Sequence, residues 1–312
     1  MRDLSVIIPA RNEMFLQATI ENILENREAD TEIIAVLDGY WPEPPVCDDD
    51  RVTIIHVTEP IGQRAATNMG VRASRAKYIM KIDAHCAVDK GFDIKLMQDC
   101  QPDWTMVPML YNLHAFDWKC KGCGNRTYQG TLPQICAKCK ATQFEMVMVW
   151  KPRPGKGPYV AWRFDSQMMF RQWRKYHKRP EAQGRLVETM SFAGPCFFME
   201  RKRYKRLGGC DERHGSWGQF GTEWACKSWL SGGKLITTRK TWFAHMFRTG
   251  NFKGAFGGGS SFPYPISGHA QEKAQKYSRD LWLNDKWPKA VHPLSWLVDK
   301  FKPVPDWHEG AK

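Results

Sequence analysis

A short apolar run ends in two polar side chains in the stretch Tyr78-Ile79-Met80-Lys81-Ile82-Asp83-Ala84-His85-Cys86. The pattern predicts a buried strand that ends at Ile82. Because successive side chains of an extended chain point to opposite sides, Asp83 and His85 face the same side. A carboxylate oxygen and an imidazole nitrogen placed in this way are suitable ligands for a divalent metal ion. Taken alone, the tripeptide is also typical of a hydrogen-bonded surface turn, so its meaning depends on the rest of the chain.

The residues before this stretch alternate between strand and helix patterns. They predict strands at 4–9, 33–37, 52–57 and 78–82 and helices at 16–24 and 64–73. Repeated strand–helix–strand units favour an α/β fold with a mostly parallel sheet and flanking helices. Ligands of such sheets bind beyond the carboxyl ends of the strands. The polar residues at these ends are Arg11, Asp38, Asp83 and His85, and they are the first candidates for a functional site.

The composition is that of an ordinary globular protein. The 312 residues are 42% hydrophobic and 12% aromatic, which is enough to bury a full core in one large domain or two modest ones. No run of about 18 apolar residues occurs, and the charged start leads directly into a strand pattern. These features predict neither a membrane span nor a signal peptide, and therefore a cytoplasmic protein.

Further motifs occur in order on both sides of the Asp83 stretch. In the first half they are Ser5-Val6-Ile7-Ile8-Pro9-Ala10-Arg11-Asn12-Glu13, Ile33-Ile34-Ala35-Val36-Leu37-Asp38 and Gly62-Gln63-Arg64-Ala65-Ala66-Thr67-Asn68-Met69-Gly70. In the second half they are Ala193-Gly194-Pro195-Cys196-Phe197-Phe198, Gly208-Gly209-Cys210-Asp211, Trp217-Gly218 and His245-Met246-Phe247-Arg248. Together they resemble the GT-A fold glycosyltransferases, particularly family 2 and the polypeptide N-acetylgalactosaminyltransferases. Several motifs in the right order are far more specific than any one of them.

The resemblance implies a nucleotide-sugar site. Asp83, His85 and His245 would hold a divalent metal ion, and their mixed oxygen and nitrogen ligands favour Mn²⁺. The ion would offset the negative charge that develops on the nucleoside diphosphate as the sugar leaves. Besides Asp83, the donor-binding residues that the resemblance implies are Pro9, Arg11, Glu13, Asp38, Arg64 and Arg248.

The resemblance also implies an acceptor side, which contains Trp217 and Asp211. Glu223 would be the catalytic residue that takes the proton from an attacking hydroxyl, and an exposed helix carboxylate is the alternative for it. The chain departs from the family pattern, because Phe220 stands where a Glu is expected and Gly39 replaces the second Asp of the nucleotide-binding pair. The polypeptide-modifying enzymes retain anomeric configuration and family 2 enzymes invert it, so the stereochemistry stays open.

Two Cys-x-x-Cys pairs lie in the middle of the chain. Cys120, Cys123, Cys136 and Cys139 have the spacing of two knuckles that close a tetrahedral four-thiolate Zn²⁺ site. Such a site has no open coordination position, so its zinc would be structural. Disulfides or chance thiols are the alternatives, and a reducing compartment disfavours disulfides. The six scattered cysteines are interpreted as free thiols.

Positive charge is concentrated around this insert. Residues 119–206 carry 20 Lys or Arg against 5 Asp or Glu, and the net charge of the whole chain is +13. Between Trp162 and Arg179 aromatic and basic residues alternate, which suits contacts with phosphates and stacking on bases. The resemblance implies a UDP-sugar donor, and the basic region favours DNA as the acceptor, with transfer to a hydroxymethylated pyrimidine of viral DNA in an infected cell.

Other interpretations of the same features stay open. The aromatic residues of the basic stretch can pack inwards while its Lys and Arg are solvated. The acceptor can be a protein or a lipid-linked glycan, with the Trp- and Lys-rich tail resting on an anionic membrane. A third possibility is a nucleic-acid-binding module whose GT-A domain is inactive, with Gly39 and Phe220 as signs of decay.

The predicted organisation has six parts. They are a nucleotide-sugar-binding half at 1–115, a zinc-ribbon insert at 116–153, a basic aromatic and helical segment at 154–190, an acceptor-side half at 191–249, a mobile Gly-rich loop at 250–263 and a C-terminal tail at 264–312. The glycines of the loop would let it close over bound donor, and an ordinary flexible linker is the alternative.

Overall fold

One mixed β-sheet forms the centre of the computed structural model, which describes residues 2–247 and 268–307. The strands are β1 (Leu4–Ala10), β2 (Thr31–Asp38), β3 (Val52–Val57), β4 (Tyr78–Ile82), β5 (Cys86–Val88), β6 (Trp104–Cys120), β7 (Arg126–Tyr128), β8 (Phe144–Pro152), β9 (Trp162–Phe164), β10 (Phe170–Gln172), β11 (Leu186–Glu188), β12 (Cys196–Glu200) and β13 (Lys234–His245). The order along the main path of the sheet is β11-β13-β6-β12-β4-β1-β2-β3. The predicted α/β class is confirmed.

Helices cover both faces of this sheet. They are α1 (Leu16–Asn26), α2 (Gln63–Ala73), α3 (Phe92–Asp99), α4 (Arg201–Arg206), α5 (Phe220–Leu230), α6 (Gly268–Leu283) and α7 (Leu294–Lys300), with short 3-10 helices at Arg174–Lys178, Pro180–Ala182 and Glu212–His214. The four strands and two helices predicted in the first 82 residues are all found, and their ends are shifted by at most two residues.

The first four strands pair in parallel with one another, as β6 and β13 also do. Strand β1 pairs in parallel with β2 and β4, and β2 pairs in parallel with β3. Alternate side chains of β1 face opposite sides, so Val6 and Ile8 share a core with α1, whereas Ile7 shares one with α2. Gly70 lets α2 lie close to β1, because a Cβ atom there would be 2.6 Å from the Ile7 side chain.

The later strands bring distant segments to the end of β4. Strand β12 lies antiparallel to β4 with Cys196 opposite Ile82, and the Asp83 N–H donates to the Pro195 carbonyl at 3.0 Å. Strand β13 pairs with β5 so that His245 is opposite Cys86. The turn before β12 and the end of β13 therefore both lie beside the segment that follows β4.

The cysteine-containing insert continues the main sheet. Strand β6 is 17 residues long. Its first part pairs with β13 in the main sheet, and its last part pairs with β7 and β8 in the insert. The predicted boundary at residue 115 therefore falls inside a continuous strand. At the base of the insert, Phe116 and Trp150 pack against Phe15. The insert is joined to the sheet by backbone pairing and by side-chain packing.

The basic segment at 154–190 differs from the predicted helical region. It contains the short strands β9, β10 and β11 and two 3-10 helices. Trp173 and Tyr176 are 3% and 2% exposed, and the Arg179 guanidinium lies 4.7 and 5.2 Å from their ring centres. Burial of these large rings in the core outweighs the local pattern. Trp173 and Tyr176 are therefore not available to stack on bases. For these two residues the alternative interpretation, in which the aromatic rings pack inwards, is the one that the structure supports.

The C-terminal residues pack around α5, which is buried along its whole length. Helices α6 and α7 both contact α5. The four tryptophans of this region, Trp282, Trp287, Trp296 and Trp307, pack in or against the larger hydrophobic core. Trp282 and Trp287 are buried, and Trp296 and Trp307 are partly exposed. Among the described helices, none is both long and apolar enough to cross a bilayer.

Candidate active site

A cleft of about 640 Å³ opens at the carboxyl ends of β1, β2 and β4. This volume is typical of small-molecule sites. The predicted site residues that line it are Pro9, Arg11, Glu13, Asp38, Asp83, His85, Trp217 and His245. Arg64, Asp211 and Glu223 do not line it. Arg248 and the Gly-rich loop at 250–263 lie outside the described residues.

The three predicted metal ligands lie together in this cleft. The ligand atoms of Asp83, His85 and His245 are all within 4.8 Å of one another. His85 Nε2 is 3.0 Å from His245 Nε2, which is 3.3 Å from Asp83 Oδ2. Burial lowers the pKa of His245 to about 4, although its hydrogen bond to Asp83 acts in the opposite direction. The His245 imidazole is therefore neutral near pH 7.

The spacing of these atoms fits one divalent ion. Nitrogen and oxygen ligands bind such an ion at about 2.1 Å, so two ligands at right angles are about 3.0 Å apart. The separations of 3.0 and 3.3 Å are close to this value. One carboxylate and two imidazoles form a mixed ligand set that suits Mn²⁺.

Two residues that the sequence analysis missed hold the Asp83 carboxylate. Its Oδ1 atom accepts from Gln63 Nε2 at 3.0 Å and from Lys81 Nζ. Burial acts to raise the pKa of Asp83, but the charge of Lys81 and the contact with His245 outweigh burial and hold this pKa well below its usual range. A lysine inside an otherwise apolar strand was the signal in the sequence that could have identified Lys81.

Glu13 orients the ring of His85. Glu13 Oε2 is 2.8 Å from His85 Nδ1, and Glu13 Oε1 accepts from the Phe15 N–H at 3.2 Å. Burial acts to lower the pKa of His85, but the Glu13 carboxylate more than offsets burial, so this pKa is raised. A carboxylate on Nδ1 is the usual support of a metal-ligating histidine, because it directs Nε2 towards the metal. Glu13, which was predicted to bind the donor, thus contributes to the metal site through His85.

Glu13→Gln is expected to weaken Mn²⁺ binding by about 10- to 100-fold, because it removes the charge that orients His85. Titration of the protein with Mn²⁺, followed by electron paramagnetic resonance of the free ion, measures this change. Glu21→Gln changes an exposed carboxylate on α1 and should leave the affinity unaltered. Equal affinities for the Glu13 variant and the wild type would show that Glu13 has no such role.

Asp38 and Arg11 lie at the end of the cleft formed by β1 and β2. Asp38 is 3% exposed and accepts from the Gly62 N–H at 3.0 Å. The Arg11 guanidinium lies 5.8 Å from the centre of the Tyr40 ring, which also lines the cleft. Gly39 has a φ of 86°, and a Cβ atom there would be 2.5 Å from Pro60. The second Asp of the family pattern therefore does not fit at this position.

The position of Glu223 does not fit the predicted catalytic base. Its side chain is fully buried and forms ion pairs of 2.7 Å with both Arg64 and Lys227. Burial acts to raise the pKa of Glu223, but the charges of Lys227 and Arg64 outweigh burial and hold this pKa well below its usual range. Glu223 neither faces the cleft nor accepts a proton readily near neutral pH. This burial contradicts the alternative of an exposed helix carboxylate.

Arg64 supports a loop of the cleft instead of contributing charge inside it. It is 1% exposed and donates to the carbonyls of Gly215 at 3.3 Å and Gly218 at 2.7 Å. These two carbonyls lie on either side of Trp217, which lines the cleft. Because Glu223 fixes Arg64, the buried ion pair positions the Trp217 loop.

Of the two residues predicted for the acceptor side, Trp217 lines the cleft and Asp211 does not. Asp211 accepts from the Tyr277 hydroxyl at 2.9 Å and from Arg213, away from the cleft. Trp162 and Phe170, which were expected to stack on bases, do line the cleft, and their ring centres are 5.7 Å apart. Within the described part of the chain, the carboxylates that line the cleft are Glu13, Asp38 and Asp83. All three already have the partners given above, so none is assigned as the base.

The four paired cysteines form a second cluster in the insert. Their sulfur atoms lie within 4.8 Å of one another, with 3.5 Å between Cys120 and Cys139 and 3.7 Å between Cys123 and Cys136. In a tetrahedral site with Zn–S bonds of about 2.3 Å, the sulfurs are about 3.8 Å apart. The cluster is therefore compatible with a structural Zn²⁺ ion.

Comparison with known proteins agrees with this geometry. The family model described as glycosyl transferase family 2 matches residues 5–107. Glycosyltransferase GlyG of Streptococcus pneumoniae serotype 4 is 30% identical over 147 residues, which are 45% of this chain and 48% of that protein. Polypeptide N-acetylgalactosaminyltransferase 3 of Mus musculus is 24% identical over 265 residues, which are 78% of this chain and 37% of that protein. The chain thus spans less than half the length of these two relatives.

A solved structure extends the similarity to nearly the whole chain. The crystal structure of GalNAc-T7 with UDP, GalNAc and Mn²⁺ matches 96% of this chain and 56% of that chain, with a TM-score of 0.64 and 17% sequence identity. At this identity the match establishes the fold. The chain has the GT-A glycosyltransferase fold, and its first third matches glycosyl transferase family 2.

Proposed function

We propose that the protein is a metal-dependent glycosyltransferase that moves a sugar from a UDP-sugar to a hydroxyl group. The observation that carries this proposal is the cluster of Asp83, His85 and His245 at the end of β4, in a cleft large enough for a nucleotide sugar. The family 2 match and the UDP and Mn²⁺ in the GalNAc-T7 structure support the donor and the cation.

The chain supplies the site with orientation and charge. A divalent ion at the cluster would act as a Lewis acid that offsets negative charge on the leaving diphosphate. Glu13 orients His85, and Asp38 holds the backbone at Gly62, which lines the cleft. The aromatic walls would exclude water from the activated sugar, which limits its hydrolysis.

Asp83→Asn is expected to reduce Mn²⁺-dependent UDP-sugar turnover by at least about 100-fold, because it removes the charged ligand of the ion and leaves the side-chain shape nearly unchanged. Release of UDP from the donor measures this loss. Asp50→Asn, a change at an exposed position outside the cleft, serves as the control. Turnover by the Asp83 variant at the wild-type rate would remove the main support for the proposal.

For the acceptor we propose DNA that carries a hydroxymethylated pyrimidine. The charge of residues 119–206 supports a polyanionic acceptor, and Lys121, Lys138 and Lys140 of the insert are exposed. Trp162 and Phe170 give the cleft an aromatic wall that suits a base extruded from a duplex. Trp173 and Tyr176 are buried and do not face an acceptor base.

A screen of UDP-sugars against hydroxymethylated and unmodified DNA tests the acceptor. The expected result is a sugar mass added to the hydroxymethylated DNA alone, together with DNA binding that weakens as salt is raised. UDP-sugar hydrolysis without DNA modification or salt-sensitive binding would exclude DNA and favour a protein or glycan acceptor. DNA binding without turnover of any UDP-sugar would favour an inactive binding module.

A further inference from the structure

Lys81 is a buried cation beside the metal cluster. Its side chain is fully buried in β4, and its ammonium group contacts Asp83 Oδ1. The same group lies 3.3 Å from the carbonyl oxygens of both Gly194 and Pro195 and 4.5 Å from the centre of the Phe220 ring. Within residues 2–247 and 268–307, Asp83 is the one carboxylate that forms an ion pair with Lys81.

The charge of Lys81 opposes a cation at the cluster. Asp83 supplies the single negative charge among the three ligands, and Lys81 already occupies one oxygen of that carboxylate. A metal ion at the other oxygen would lie close to the ammonium group, and like charges repel strongly in a buried site. The next carboxylate, that of Glu13, contacts His85 on the nitrogen that faces away from the cluster.

Lys81 is not required to orient Asp83. Gln63 Nε2 donates to the same Oδ1 atom at 3.0 Å, and the Asp83 N–H donates to the Pro195 carbonyl at 3.0 Å. These two contacts hold the carboxylate and its backbone when Lys81 is replaced. Besides its bonds to the Gly194 and Pro195 carbonyls, Lys81 contributes a positive charge beside the Asp83 carboxylate.

We infer that Lys81 weakens metal binding to the free protein and thereby makes the bound cation depend on a nucleoside diphosphate. The phosphates would bring the negative charge and oxygen ligands that the protein withholds. This inference rests on the proposed function and assigns a regulatory property to the same site. It requires a reciprocal coupling, in which UDP tightens Mn²⁺ binding and Mn²⁺ tightens UDP binding by the same factor.

Binding measurements on the full chain test this inference without activity. Mn²⁺ affinity is measured by electron paramagnetic resonance with and without UDP, and UDP affinity by calorimetry with and without Mn²⁺. In the wild type we expect UDP to tighten Mn²⁺ binding by at least about 30-fold. In Lys81→Gln we expect Mn²⁺ to bind about 10-fold more tightly in the absence of UDP. The factor by which UDP tightens Mn²⁺ binding should then fall about 10-fold.

Three further variants serve as controls. Lys81→Arg keeps the charge and should behave as the wild type. Gln63→Leu removes the other Oδ1 contact with no change of charge, so it should not tighten Mn²⁺ binding. Lys81→Met is a second neutral variant in case Lys81→Gln does not fold, which thermal unfolding reports.

Each outcome has a defined meaning. A neutral variant that binds Mn²⁺ alone no more tightly than the wild type overturns the inference and makes Lys81 a positioning residue for Asp83. If both neutral variants unfold, coupling of the expected size in the wild type and in Lys81→Arg supports the inference, and its absence from the wild type overturns it. Failure of the proposed function looks different, since the wild type would then bind no UDP at any Mn²⁺ concentration.

Discussion

Glu223→Gln is expected to lower the free energy of unfolding by about 3–5 kcal/mol, because it leaves two buried cations without a counter-charge. Arg64 and Lys227 are 1% and 2% exposed, and both pair with Glu223 at 2.7 Å. Urea unfolding followed by circular dichroism measures the change. The matched control is Glu272→Gln, since the Glu272 side chain is 76% exposed and its loss should alter stability by less than about 0.5 kcal/mol.

The pH dependence separates this role from that of a catalytic base. The pKa of Glu223 is lowered in the folded state, so its ion pairs stabilise the fold above the ordinary glutamate pKa and lose this effect as the pH falls below it. His214, 3.7 Å from Glu223, adds to acid destabilisation because burial lowers its pKa to about 4. A Glu223→Gln variant with wild-type stability and a pH–rate profile that has lost its acidic limb would restore the catalytic assignment.

Removal of metal from the four-cysteine cluster is expected to unfold the insert, because metal binding to such sites contributes about 10–16 kcal/mol to folding at neutral pH. The insert has little core of its own, since Leu132 and Ile135 are 57% and 54% exposed. Cys136→Ser should reduce the zinc content and allow proteolysis between residues 121 and 143, while the rest of the sheet stays folded. Zinc content by mass spectrometry and limited proteolysis measure both effects.

Cys47→Ser is the control for the Cys136→Ser variant. Cys47→Ser changes an exposed free thiol outside the cluster and should alter neither zinc content nor protease resistance. If Cys136→Ser also keeps both at the wild-type level, the cluster has no structural metal. Strand β6 pairs Asn112 with His245 before it enters the insert, so cleavage should stop short of the metal ligands.

The parallel half of the fold was predictable because its signals are local. The apolar runs of β1, β2, β3 and β4 and the spacing of α1 and α2 determine these elements within a few residues. Asp83 and His85 follow from the end of a strand, again a local feature. His245 required the family resemblance, because it reaches the site only through the pairing of β13 with β5.

The assignments that the structure changes or adds depend on contacts between distant residues. A helical pattern places Glu223 on a helix, but the pattern does not show that Arg64, 159 residues away, lies against it. The basic segment has an aromatic and basic pattern that suits a helix or a binding surface. Tertiary packing buries Trp173 and Tyr176, and the segment forms short strands and 3-10 helices instead of a long helix. Local propensity is a weak guide where such packing dominates.

Turnover of UDP-sugars in Mn²⁺ and in EDTA is the most direct test of the central claim. The claim is that a cation held by Asp83, His85 and His245 serves sugar transfer in this cleft. We predict UDP release by the wild type in Mn²⁺, loss of release in EDTA, recovery when excess Mn²⁺ is added, and no recovery for Asp83→Asn. UDP release that persists in EDTA and in the Asp83 variant would contradict the account.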